Sequence, residues 1–261
     1  MTGRDWYELG VLAVVLAFFA GWRLWCRHFD GLRARSMGLV ARELGLGFTA
    51  YDPLALMDDG RRPGLLARLR GAESPGIPAR FSHLRALVGR CRASNVMHGN
   101  YRGRPVTAFD CDRRDVGDSG GERTRFASLA VITCGGSFPQ LVIRPRNNLD
   151  AVAAAVGLGN LSFESGRFAE RFSVTCSDRR LASAVISVPM MEFLLTHQGW
   201  YIEINGGDAC IWNERWWDPG EFSVAVRALS SFLDLVPRFV WKDVGAEEEV
   251  ARQGTAGPAC S

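Results

Sequence analysis

An N-terminal transmembrane helix followed by one globular α+β domain, with an antiparallel sheet and packed helices, is the architecture that three features of this 261-residue sequence point to. The first is a charge-free run near the start, Leu9 to Trp22 (LGVLAVVLAFFAGW). The second is a succession of short β-prone runs between Ser94 and Arg144, separated by turn residues. The third is that helix-like segments stand apart from these runs and do not alternate with them, which favours the α+β class over α/β.

The apolar run alone covers about 21 Å at the helical rise, short of a hydrocarbon core of about 30 Å. With its flanks, Trp6 to Cys26 reaches about 31 Å, if Glu8 and Arg23 extend their charged ends to the interface. Trp6 and Tyr7 at one end, and Trp22, Arg23 and Trp25 at the other, match the aromatic and basic residues that fix a helix in a bilayer. A cleavable signal peptide fits worse: Asp5 and Glu8 offset Arg4, and Phe18 sits two positions before the small residue Ala20. A buried helix of a soluble domain is the remaining alternative. Arg23, Arg27, Arg33, Arg35 and Arg42 all follow the run, whereas Arg4 alone precedes it. The positive-inside rule then sets a single-pass protein in the cytoplasmic membrane with its C-terminal domain in the cytoplasm.

Seven cysteines occur, at 26, 91, 111, 134, 176, 210 and 260, with no CxxC and wide spacing. That pattern reads as free thiols in a reducing compartment and not as a disulfide framework. The net charge of +3 argues against a nucleic-acid partner. The charge is polarised. Arg23 to Arg92 holds 13 arginines against six acids, and Tyr201 to Val250 holds four basic residues against ten acids.

The chain divides into an anchor (1–27), a juxtamembrane helix and linker (28–80), an α+β domain (81–243) and a disordered tail (244–261). Asp30 to Gly45 carries Leu32, Leu39, Val40 and Leu44 near one helical face. Such a helix lies on anionic lipid headgroups or docks on the domain. A short helix is expected near Leu65 to Leu69. Strands are expected at Ser94–Tyr101, Arg104–Cys111, Arg125–Cys134 and Pro139–Arg144, with Arg102-Gly103 turning the first hairpin. A loop follows over Val116–Glu122 and a helix over Asn147–Val156. Phe168–Cys176 reads as a strand. Asp178 caps a helix to about Ile186, and Pro189 restarts one toward His197. Asn205-Gly-Gly-Asp208 reads as the turn of a hairpin between Tyr201–Ile204 and Ala209–Trp212. Asp218-Pro219 opens a helix through Leu235.

The run Asn95-Val-Met-His-Gly, then Gly103, Val106–Asp110 (VTAFD), Phe138-Pro139, Ile143-Arg-Pro145 and Phe168–Val174 (FAERFSV) resembles a family of uncharacterised bacterial single-pass membrane-anchored proteins. The resemblance covers roughly 38–241. It implies a membrane anchor and no activity, and it carries over no functional residue.

Four clusters suggest chemistry. Gly117-Asp-Ser-Gly-Gly121 matches the letters around the serine of chymotrypsin-like proteases. A triad there needs a histidine and an aspartate, and His83 with Asp110 or Asp112 are the candidates. A Gly/Asp/Ser loop explains the same letters. Asp110-Cys-Asp112 places two carboxylates on one strand face, as a metal pair requires, but no nucleotide-binding unit accompanies it. Cys91, His98, Cys111 and Cys134 match no known zinc spacing, and no cofactor motif is present. Arg215, Trp216 and Trp217, with Trp212, cluster before the last long helix, and Trp and Arg are favoured at binding hot spots. Adjacent residues point about 100° apart on a helix and to opposite faces on a strand. Hence one of Trp216 and Trp217 is expected to be exposed, Trp216 by preference, with Trp217 in the core.

The function these readings favour is a membrane-tethered cytoplasmic binding module, non-catalytic, whose contacts are the lipid bilayer, anionic headgroups and a protein partner. Arg215 and Trp216 are its candidate binding residues. A membrane-anchored hydrolase using Ser119 is the alternative.

Overall fold

The computed structural model describes residues 3–51, 77–81, 84, 92–116, 122–146 and 165–245. Helix α1 (Gly3–Leu44) leads into strand β1 (Gly47–Tyr51). A short helix α2 (Ile77–Arg80) precedes β2 (Arg92–Tyr101), β3 (Arg104–Val116) and β4 (Glu122–Pro145). Then come α3 (Gly166–Arg171), β5 (Phe172–Cys176), α4 (Arg179–Val185) and α5 (Val188–Thr196). Strand β6 (Tyr201–Asn213), α6 (Pro219–Leu235) and α7 (Arg238–Asp243) complete the described chain. The class is α+β, with an antiparallel sheet in the order β1-β2-β3-β4-β5 and β6 paired to β4.

Strand β4 organises the sheet. Its first half pairs with β3 on one side and its second half with β5, while β6 follows it through both. Gly135 and Gly136 adopt φ of 73° and 82°, and Gly206 opposite adopts 57°, at the place where the β4–β6 register shifts. A Cβ on Gly207 would lie 3.5 Å from the Gly135 backbone, so both strands bend together at a glycine-lined bulge. The hairpin expected around Asn205–Asp208 therefore does not form: Tyr201–Asn213 is one strand, and Arg125–Cys134 with Pro139–Arg144 belong to one partner strand. Phe168–Cys176 also differs from expectation. Ser165 caps α3, whose C-cap Phe172 opens β5.

Alternation along β4 feeds two cores. Ala130 and Ile132 face the helices, and Leu129 and Val131 face the opposite side. On the helical side, Phe222, Val226, Leu229 and Leu233 of α6 form a helical stripe that packs with Met37, Ala41 and Leu44 of α1. Each such fully buried side chain stabilises the fold by about 1.5–3 kcal/mol. The second core gathers Phe81, Leu84, Phe109 and Trp212. Its covering segment is fixed by polar contacts: Arg80 to Asp208 at 2.8 Å, and Asn205 Nδ2 to the Arg80 carbonyl at 2.6 Å.

The N-terminal half of α1 leaves this body. Residues 14–23 are all exposed, with Val14 at 70 % and Phe18 at 67 %. The transmembrane helix expected over Trp6–Cys26 is not sustained: among the described residues no helix is long and apolar enough to cross a membrane. The reason lies in how the helix continues. It runs unbroken through the boundary expected at 27/28, carrying the charge-free stretch directly into turns bearing Arg23, Arg27, Asp30, Arg33 and Arg35. Trp22, Arg23 and Trp25 are exposed on it, while the side chains of Trp6 and Tyr7 lie outside the described ones.

The thiol reading also needs correction. Cys111 is disulfide-bonded, to a cysteine outside the described side chains, whereas Cys134, Cys176 and Cys210 are free. The helices expected near 65–69 and over 147–156, the loop residues 117–121 and the tail residues 246–261 lie outside the described residues.

Candidate functional site

The β6–α6 junction separates the tryptophans as adjacency requires. Trp212 belongs to the second core and Trp217 to the helical core. Trp217 Nε1 donates to Asn213 Oδ1 at 2.7 Å, and its backbone N–H donates to Ser128 Oγ at 2.9 Å. Trp216 is 41 % exposed. Its ring lies 4.4 Å from that of Phe126, and the Arg33 guanidinium sits 5.1 Å above it, within cation–π range.

Arg215 is engaged otherwise. Its Nη1 donates to Glu221 Oε2 at 2.7 Å, and the Glu221 carboxylate also accepts from the Asp218 backbone N–H, closing a capping box at the start of α6. Arg215 thus secures the loop on which Trp216 stands. The Arg215 hydrogen bond holds the Glu221 carboxyl below its ordinary value and raises that of Arg215.

The cation beside Trp216 comes from α1. Arg33 Nε and Nη2 each donate to the Asp110 carboxylate at 2.8 Å, and Nη2 also donates to the Trp217 carbonyl at 2.8 Å. Asp110 is fully buried. It accepts two further bonds, from Asn95 Nδ2 at 2.9 Å and Ser128 Oγ at 2.6 Å. A β-bulge between Ser94 and Met97, with Asn95 at φ 52°, turns the Asn95 amide toward it. Four donors meet the roughly four lone-pair positions of a carboxylate. Asp110 is therefore spent on structure, with no capacity left for a metal or for proton transfer.

Next to this network a cavity of about 550 Å³ opens between α1 and the sheet. Gly31, Arg33 and Ala34 form the helical wall; Ala50 and Tyr51 of β1, Ser94 and Asn95 of β2, Asp112 of β3, Phe126 and Trp216 form the other. That volume falls within the range of small-ligand sites.

The other expected sites do not assemble. Ser119, His83 and Cys91 lie outside the described residues, and Asp110 is committed to Arg33. Asp112 shares the cavity side of β3 with Asp110 but not its network. Of the zinc candidates, Cys111 points into the second core and Cys134 into the helical core, on opposite faces of the sheet. Among the described residues no group of three His, Cys, Asp or Glu is placed to hold a metal. Burial pushes the Cys134 thiol up to about 12 and raises Cys210 and Cys176, so none of the three is an activated nucleophile. Sequence reasoning did not bring Arg33, Asn95 and Phe126 to Trp216, because only the folded sheet and helix join them.

No protein-family model matches the chain, and no characterised protein is detectably similar to it in sequence. One solved structure is similar: the mycobacterial trehalose monomycolate transport factor A, TtfA, at 15 % identity and a TM-score of 0.46, over 77 % of this chain and 93 % of that one. At that distance the likeness assigns neither a family nor a function.

Proposed function

We propose that the protein is a lipid-associated binding module whose cleft under Trp216 holds a ligand without transforming it. The observation that carries this is the placement of Trp216. An exposed indole, tilted against Phe126 and capped by a fixed guanidinium, walls a ligand-sized cavity at the foot of an exposed apolar helix. Desolvating such an aromatic is a common source of binding energy. A helix segment that is apolar on every side and packs on no protein core favours an apolar medium. Lipid meets that demand at Val14–Trp22, and exposed Arg23 and Arg35 suit anionic headgroups. The Cys111 disulfide supports placing the folded body on the oxidising side of the membrane. A protein partner at Trp216 remains the second reading, which the fixed aromatic beside Arg33 favours.

Site-specific photocrosslinking in cells tests this. A photoreactive residue replacing Trp216 should give adducts that one replacing the more exposed Leu39 does not. Equal labelling at both positions would remove the binding assignment. Vesicle flotation of the full chain, abolished by Phe18→Asp with Trp22→Asp, tests the lipid contact separately.

A further inference from the structure

Where α1 leaves the body, its exposed large side chains keep a seven-residue rhythm. Val15, Phe18, Trp22, Trp25, Phe29 and Leu32 follow one another at alternate steps of three and four residues, and all are exposed. In the sequence Val11 continues the same spacing. The rings of Trp25 and Phe29 lie 5.0 Å apart, so these positions share one face. Alternate steps of three and four are the a and d positions of a coiled-coil heptad. On that register Arg23 and Asp30 take b positions and Arg27 an f position, away from the seam. Ser36 then puts a hydroxyl where the next apolar residue would fall, and Glu43, seven further on, is taken by Arg227 of α6. The seam therefore ends as α1 docks on the body, and Leu39 lies beyond it.

Lipid accounts for apolar surface but not for this period. Trp25, Phe29 and Leu32 stand beyond the charge-free run, in one file among charged residues. A period of 3.5 residues, just under the 3.6 of a straight helix, is what a second helix wound round the first requires. We infer that this face pairs with the same face of a second copy of the chain, as a parallel two-stranded coil. Every copy carries the face, so a two-fold pairing closes it with no other partner. The direction rests on the lipid contact proposed at Val14–Trp22, which sets two copies on one membrane the same way up; the pairing itself uses no wall of the Trp216 cleft. The hole that receives Trp22 is then made by Phe18, Gly21, Trp22 and Trp25 of the second copy. Gly21, where nothing lies within 4 Å of a Cβ, leaves room for the indole. Phe18, Trp22, Trp25 and Phe29 are 51–67 % exposed. At about 150–250 Å² for each aromatic side chain they offer roughly 500 Å² a helix and about 1,000 Å² for the pair, the area at which a specific interface begins.

Photocrosslinking of the purified full chain, in phosphatidylcholine–phosphatidylglycerol vesicles at a large excess of lipid, tests this. A photoreactive residue at position 25, 29 or 32 should give adducts of twice the chain mass, several-fold above those from position 23 or 27. Peptide mapping should join each position to its own neighbourhood in the second copy. Trp25→Asp with Phe29→Asp should lower the adduct from position 32 several-fold and leave the melting temperature of the body unchanged. Leu39→Asp, outside the seam, should leave that adduct as it was. Equal adducts from all five positions would be random collision, and lipid adducts alone would make the bilayer the occupant. Adducts within one chain would make another of its own segments the cover, and adducts joining position 32 to the region of position 15 would make the pair antiparallel. Each of these overturns the parallel seam, as does an adduct from position 32 that survives the double substitution.

Discussion

The Arg33 guanidinium grips the Asp110 carboxylate through two 2.8 Å hydrogen bonds across 77 positions of sequence. This contact ties α1 to the sheet at the last point before the helix becomes exposed. Removing the arginine would leave a fully buried carboxylate with only Asn95 and Ser128 as donors. Arg33→Ala should therefore destabilise the domain by about 3–5 kcal/mol in urea denaturation. The loss for Asp110→Ala combined with Arg33→Ala should fall well short of the sum of the two single losses. A cost below about 1 kcal/mol for Arg33→Ala would reduce the pair to an ordinary surface contact.

The two adjacent tryptophans should separate stability from binding. Trp217 is wholly buried and satisfies its N–H on Asn213, so Trp217→Ala should cost about 3–5 kcal/mol. Trp216→Ala should cost about 1 kcal/mol or less, and should weaken ligand capture by about 2 kcal/mol or more, the hot-spot scale. Paired denaturation and binding curves check this. Unfolding by Trp216→Ala would make the ring a core residue and remove it as an anchor.

Local signals in the sequence translated well into local structure. Asp178 and Asp218-Pro219 start helices where their capping chemistry says they should, and Arg102-Gly103 turns β2 into β3 with φ of 51° and 80°. At Asn205–Asp208 the same local reading failed. Asn205–Asp208 has the composition of a tight turn, yet its glycines lie opposite Gly135-Gly136 and serve a shared bend. Only the pairing partner distinguishes the two cases. Arg215 shows a subtler loss. Its neighbour Trp216 suggested a hot spot, whereas the acid that engages it, Glu221, was legible six residues on as a capping-box residue. The contact that sets Trp216, from Arg33, was out of reach because it joins distant segments through tertiary packing.

The Arg215–Glu221 pair predicts a small acid-side effect. The Arg215 hydrogen bond lowers the Glu221 carboxyl below its ordinary 4.5. A carboxyl depressed in the folded state contributes stability that is complete above the unfolded value and lost as pH falls through the folded one. The stability difference between the natural chain and Glu221→Gln should thus be constant above about pH 5 and shrink below 4.5. Both groups are partly exposed, so the plateau should be about 1 kcal/mol, the scale of a helix cap. A difference that grows on acidification would contradict the assignment.

Cysteine chemistry gives the last test, and it also decides the compartment. Iodoacetamide reacts with thiolates, so reactivity follows exposure and acidity. Cys176 is half-buried with a moderately raised value, while Cys134 is pushed up to about 12 and Cys210 is fully buried and raised well above 9.0. Among the described free thiols of the native chain, Cys176 should be alkylated first, and Cys134 and Cys210 only after unfolding. Cys111 should resist even in denaturant until a reductant is added, because its sulfur is already bonded. The same mapping on chain quenched with acid directly from cells reports the native redox state. A blocked Cys111 there agrees with a folded body on the oxidising side. Immediate alkylation of Cys111 without reductant would abolish the disulfide, and with it the argument against the cytoplasmic placement that the arginine asymmetry first suggested.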